Sequence, residues 1–147
     1  MNRALIEREV IVRLFQVSNA LQTFLDKLLK ENKLTAKQFF MMIILGSFDY
    51  DPKISELAKR FGTSHQNVKQ VVLKLEKANY VKLYKDTSDS RVTRVQFTAY
   101  ANEFWASRNN TDDLIISDIF SSLTEETLTH FRSGLLQTID NIEGLKY

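Results

Sequence analysis

Across residues 54–98 apolar positions recur first with a helical and then with a strand period, and a single glycine separates the two helical runs. Leu57, Ala58 and Phe61 share one side of a short helix that Ser55 opens and Gly62 closes. Thr63, with Gln66 at capping-box spacing, starts a second helix whose buried face is Val68, Val71, Val72 and Leu75. That face leaves Ser64, His65, Gln66, Asn67, Lys69, Gln70, Lys74 and Lys77 on the open side. Alternation of period two then takes over in residues 80–85 and 93–97, and residues 86–91 between them are turn-forming and charged. Two helices about a tight turn, followed by a hairpin with cations near its tip, make the plan of a winged helix-turn-helix: mainly α, with a small β-hairpin wing.

Charge is distributed to match. Residues 53–98 hold ten Lys or Arg against four Asp or Glu, a net of +6, while the rest of the chain carries −4, so the whole-chain value of +2 conceals a basic module. Any one of these lysines is ordinary solvated surface; their clustering is what suits a polyanion, because each neutralised phosphate releases condensed counterions. Amides and hydroxyls in the first turns of a helix can read base edges in a major groove, which makes Ser64, His65, Gln66, Asn67 and Gln70 the base-reading candidates. Lys69, Lys74 and Lys85 are the phosphate candidates, and Arg91 and Arg94 are the wing cations. The expected partner is double-stranded DNA. The alternative is a winged-helix protein–protein interaction module without DNA binding, since the fold serves both uses. No nucleophile with a base, phosphate-cradling glycine loop or metal constellation is apparent, so neither catalysis nor a cofactor nor a metal site is expected.

The stretch resembles the DNA-binding half of the MarR family of bacterial transcriptional regulators. Ala58, Gly62, Val68 and Val71 have helix-turn-helix spacing, and Leu75-Glu76-Lys77 ends the second helix as in that family. Asp89, Arg91, Val95 and Thr98 fall at the spacing D-x-R-x-x-x-V-x-L-T, with Phe97 in place of the usual Leu. Asn79 stands where the family has Gly, a tolerable exchange because Asn also visits the left-handed conformation. The resemblance implies a homodimeric repressor that sets two recognition helices into successive major grooves about 34 Å apart, on an inverted-repeat operator. It implies that Arg91 reaches the minor groove or its phosphates while Asp89 holds the guanidinium. It also implies a small aromatic or phenolic effector bound between helical arm and DNA-binding module. Phe15, Phe39, Phe40 and Trp105 are the candidates to line that pocket, although aromatic residues at helical spacing are more often core packing.

The remaining chain completes a single domain spanning 1–147, in which 35–98 form the DNA-binding module and 1–34 with 99–147 form a helical dimerisation arm. A first helix over about residues 5–32 carries Val10, Leu14, Val17, Leu21, Phe24 and Leu28, with a second apolar stripe beside it. Thr35 and Gln38 offer a capping box for a helix through Phe39, Phe40, Ile43, Ile44 and Phe48. Thr98 and Thr124 open two further helices, the last with Leu128, Phe131, Leu135, Ile139 and Ile142 along one side. Stripes this wide must pack on each other or on a partner subunit, which favours a dimer. Asp49 and Asp51 read as turn chemistry. The absence of cysteine excludes disulfides and sensing by cysteine oxidation. The apolar run 39–45 is far shorter than the ~20 residues that span a bilayer, and the N-terminus lacks a signal-peptide core, so a cytoplasmic location and no membrane partner are expected.

Overall fold

Side-chain caps decide where each helix begins. In the computed structural model, which describes residues 2–147 apart from the side chain of Asn109, α1 (Arg3–Leu28) starts where the Asn2 side chain accepts a bond from the Leu5 N–H. A single 3₁₀ turn, Lys30–Asn32, ends in left-handed Lys33. α2 (Ala36–Gly46) opens on the expected capping box: the Thr35 hydroxyl accepts from the Gln38 N–H at 3.2 Å and the Gln38 amide oxygen accepts from the Thr35 N–H at 3.0 Å. Asp26 adds a bond from α1 by accepting the Ala36 N–H at 2.7 Å.

The helix-turn-helix follows, with two caps displaced from the sequence expectation. α3 (Ile54–Phe61) is preceded by extended Lys53, whose N–H is accepted by the Glu56 carboxylate at 2.8 Å; Ser55 lies inside the first turn and does not open the helix. α4 (His65–Lys77) is capped by Ser64, whose hydroxyl accepts the Asn67 N–H, not by Thr63, one residue too early to reach it. Between them Gly62 adopts φ +81°, which lets α3 stop in one residue. Asn79, at φ +67°, ends the turn after α4 in the left-handed conformation expected of it.

Strands β1 (Val81–Lys85) and β2 (Thr93–Phe97) pair antiparallel with Val81 opposite Phe97 and Lys85 opposite Thr93. A third segment joins them: Lys53 bridges Arg94, and the Pro52 carbonyl accepts the Val95 N–H at 3.0 Å. Pro52 has no N–H to give, so it occupies an edge position where only its carbonyl is needed. α5 (Ala99–Ile119) starts where Thr98 accepts the Ala101 N–H, and α6 (Glu125–Gly144) where Thr124 accepts the Thr127 N–H. The described residues form two compact units, one ending at Phe104 and one running from Trp105 to Tyr147.

The core of the first unit lies beneath α4. Val68, Val72 and Leu75 are fully buried against Leu57 of α3, Met41 and Met42 of α2, and Val81 and Val95 of the wing base are buried with them. Tyr80 closes one side, its hydroxyl donating to the Asn32 carbonyl at 2.8 Å and its ring meeting Tyr100 and Phe104. α2 buries only one flank of its apolar run. Phe39 is buried, but Phe40 and Ile43 are exposed and Met41, Met42 and Leu45 take the interior, because α3 and α4 cover that face. No residue within α1 is buried in the first unit, and none within α6 in the second.

Gly62 has no neighbouring atom within 4 Å of where a Cβ would stand, so only backbone strain opposes a side chain there. We therefore expect Gly62→Ala to destabilise the fold by about 1–2 kcal/mol with no change in the denaturant slope, read from urea unfolding.

Candidate nucleic-acid interface

The buried 3,4 stripe of α4 turns the opposite side outward. His65, Gln66, Asn67, Lys69, Gln70 and Lys74 are all exposed, so one short helix presents amides in its first turns and ammonium groups along its length. Ser64, also exposed, already serves the helix as its cap, and the Asn67 amide donates to the Thr63 hydroxyl at 3.1 Å, which holds that side chain at the turn. Lys74 differs from the others: with Val71 it borders a cleft whose far wall is Gln22, Asp26 and Thr35, beside the start of α2.

The wing turn is organised by two aspartates. Asp89 grips Arg91 in a two-pronged pair, Nε to Oδ1 at 3.0 Å and Nη2 to Oδ2 at 3.1 Å, and also accepts the Arg91 N–H. The guanidinium is thus oriented while the side chain remains 88% exposed. Arg91 and the accepted backbone N–H hold the Asp89 carboxyl below its usual range. Lys85, at the end of β1, stays exposed and donates to Thr93 across the hairpin at 3.3 Å.

Arg94 is placed otherwise. Its side chain is only 25% exposed; Nε donates to the Asp86 carboxylate, and Nη1 donates to the Asp51 carbonyl at 2.8 Å. The Asp51 carboxylate accepts from the Tyr84 hydroxyl, and Asp86 also accepts the Ser88 and Asp89 N–H groups. Asp86 is held below the ordinary carboxylate range, first by Arg94 and then by those N–H groups, while the Asp51 carboxylate pushes the Tyr84 hydroxyl upward. Sequence reading did not find this cluster, since Asp51 lies 43 residues from Arg94 and 33 from Tyr84 and nothing in their spacing links them.

The three aromatic pocket candidates of the first unit are dispersed within it. Phe39 packs edge-on to Phe104, Phe40 lies against Phe61 at 4.8 Å, and Phe15 is 69% exposed on α1. Trp105 is half-buried at the start of the second unit. The first unit contains a second cleft, bordered by Glu31, Lys33, Lys77, Asn79 and Tyr100, and none of the four aromatics borders either cleft. Among the described residues no group of His, Asp or Glu is arranged to hold a metal ion, and no helix is long and apolar enough to cross a membrane.

Comparison with known proteins agrees with this geometry. Residues 34–93 match the family model described as MarR family. Among solved structures, a MarR protein from Peptoclostridium difficile superposes with a TM-score of 0.81 at 22% identity, covering 91% of this chain and 87% of that one. An organohalide-sensing transcriptional regulator in its 2,4-dichlorophenol-bound form gives 0.82 at 17% identity, covering 96% and 85%. MepR of S. aureus, solved in complex with DNA, gives 0.80 at 17% identity, covering 89% and 96%. None of the curated proteins is a significant match. At these identities the structural likeness is one of fold: residues 34–93 match the MarR family model, and the fold in which they lie is the winged-helix fold of the solved MarR-family structures.

Proposed function

We propose that the chain is a sequence-specific, double-stranded DNA-binding transcriptional regulator, acting in the cytoplasm as a homodimeric repressor and binding rather than catalysing. The observation that carries this reading is the pairing of an exposed amide and ammonium face on α4 with a clamped, outward Arg91 on the wing, both in a module of net charge +6. In this reading α4 enters the major groove. Gln66, Asn67 and Gln70, with Ser64 and His65 beside them, meet base edges; Lys69, Lys74 and Lys85 meet phosphates; Asp89 presents Arg91 to the minor groove or its backbone. The DNA complex of MepR, a protein of the same fold, is consistent with that use of the module.

Residues 1–34 and 99–147 are assigned to dimerisation. Val10, Ile11 and Phe15 of α1 are exposed in the first unit, as are Phe131, Ile139 and Ile142 of α6 in the second, more apolar surface than a solitary chain ordinarily leaves open. An effector of small aromatic type is assigned to the dimer, with Phe15 as the exposed ring best suited to contact it; the 2,4-dichlorophenol complex of a protein of this fold supports that chemical class.

Titration of a labelled duplex taken from upstream of the chain's own coding sequence, against an unrelated duplex, over a series of salt concentrations tests the central claim. We expect preference for the first duplex and a log–log salt slope of about −0.9 per neutralised phosphate, summing to several contacts. Salt-independent binding, or none, would leave a protein-interaction module as the better reading.

Gln66→Ala, Asn67→Ala or Gln70→Ala should weaken binding to the preferred duplex by ~1–3 kcal/mol while leaving the unrelated duplex nearly unaffected. Lys74→Ala should lower both affinities together and flatten the salt slope by about one unit. Equal losses on both duplexes for all four variants would make α4 an electrostatic anchor and move sequence reading to the wing or to DNA shape.

Sedimentation equilibrium of the full chain should give twice the monomer mass at micromolar concentration. A monomer at that concentration would contradict the dimerisation arm.

A further inference from the structure

We propose that Arg94 and Asp86 are positioning residues for the wing: together they transmit the placement of the helix-turn-helix to Arg91, and neither touches DNA itself. The inference rests on the DNA-binding reading above and adds a role for two side chains within it.

The contacts form one continuous path. Asp51 belongs to the segment that leads into α3, and its carbonyl receives the Arg94 guanidinium at 2.8 Å. The same guanidinium donates through Nε to Asp86, at the start of the wing turn. The other Asp86 oxygen accepts the Ser88 and Asp89 N–H groups at 3.0 and 3.1 Å, which fixes where the turn puts Asp89. Asp89 then holds Arg91 by two prongs. Tyr84 braces the origin of the path, its hydroxyl bound to the Asp51 carboxylate. Backbone bonds from the Asp86 N–H to the Val92 carbonyl and from the Val92 N–H to the Asp89 carbonyl, at 2.9 and 3.0 Å, close the turn on itself, but neither ties it to the segment before α3. The Arg94 and Asp86 side chains are 25% and 17% exposed, against 88% for Arg91, so the inner pair is covered while the outer guanidinium faces solvent. Two of the five Arg94 N–H donors, on Nε and Nη1, are engaged within the protein, and with the side chain three-quarters covered the guanidinium is poorly disposed to reach a phosphate.

Charge gives the test a sign. Asp86→Asn removes a negative charge from a basic module, and electrostatics alone would tighten DNA binding. A positioning role demands the reverse, and only while Arg91 is present. The experiment is a double-mutant cycle in the full-length protein, measured by fluorescence anisotropy on the upstream duplex with thermal unfolding in parallel. Asp86→Asn should weaken binding about tenfold, equivalent to roughly 1.4 kcal/mol, in the parent protein, and leave binding unchanged or tighter in an Arg91→Ala background. Arg94→Lys, which keeps the charge but loses the fork, should behave the same way and serves if Asp86→Asn does not fold. Equal weakening in both backgrounds, or tighter binding by Asp86→Asn in the parent, would overturn the proposal. A parent protein that bound no duplex would overturn the DNA-binding reading itself, and Arg91→Ala without effect would remove the group through which the pair is said to act.

Discussion

A two-stranded hairpin cannot hold its own position, and the first unit is arranged around that weakness. Strands of five residues each bury little on their own. The wing is held instead by Val81 and Val95, sunk into the core under α4, by the Glu76 carboxylate of α4 accepting the Leu83 N–H at 3.0 Å, and by Pro52 joining the edge of β2. The first two attachments are to α4 and its core, and the third is to the segment that leads into α3. The hairpin and α4 are consequently tied into one frame, which is what the proposed two-element grip on a duplex requires.

The same packing divides labour among side chains of like chemistry. Arg91 and Arg94 sit three positions apart on one hairpin, yet one is displayed and the other enclosed. What separates them is the aspartate each meets. Asp89 lies within the turn and can only orient its arginine outward, whereas Asp86 lies where the hairpin approaches Asp51 and draws its arginine inward. A count of basic residues therefore overstates the cations a module can offer a polyanion, since an enclosed guanidinium such as that of Arg94 is engaged within the structure.

Turn chemistry and the period of the apolar residues were enough, from the chain alone, to establish the helix-turn-helix, the hairpin, the stop at Gly62 and the capping box of Thr35 with Gln38, because all of these depend on neighbours within a few residues. The open face of α4 was legible for the same reason: burying Val68, Val72 and Leu75 forces the residues between them outward. Tertiary structure alone decided the rest. Which flank of an apolar helix is covered depends on what packs against it, so α2 buries Met41 and Met42 and exposes Phe40 and Ile43, although all four are apolar. Ser64 rather than Thr63 is the cap because α4 begins at His65, which puts the Ser64 hydroxyl within reach of the Asn67 N–H. Asp51, Tyr84, Asp86 and Arg94 meet only after the segment before α3 has folded against β2, and a pairing between residues this far apart leaves no period in a sequence to be read.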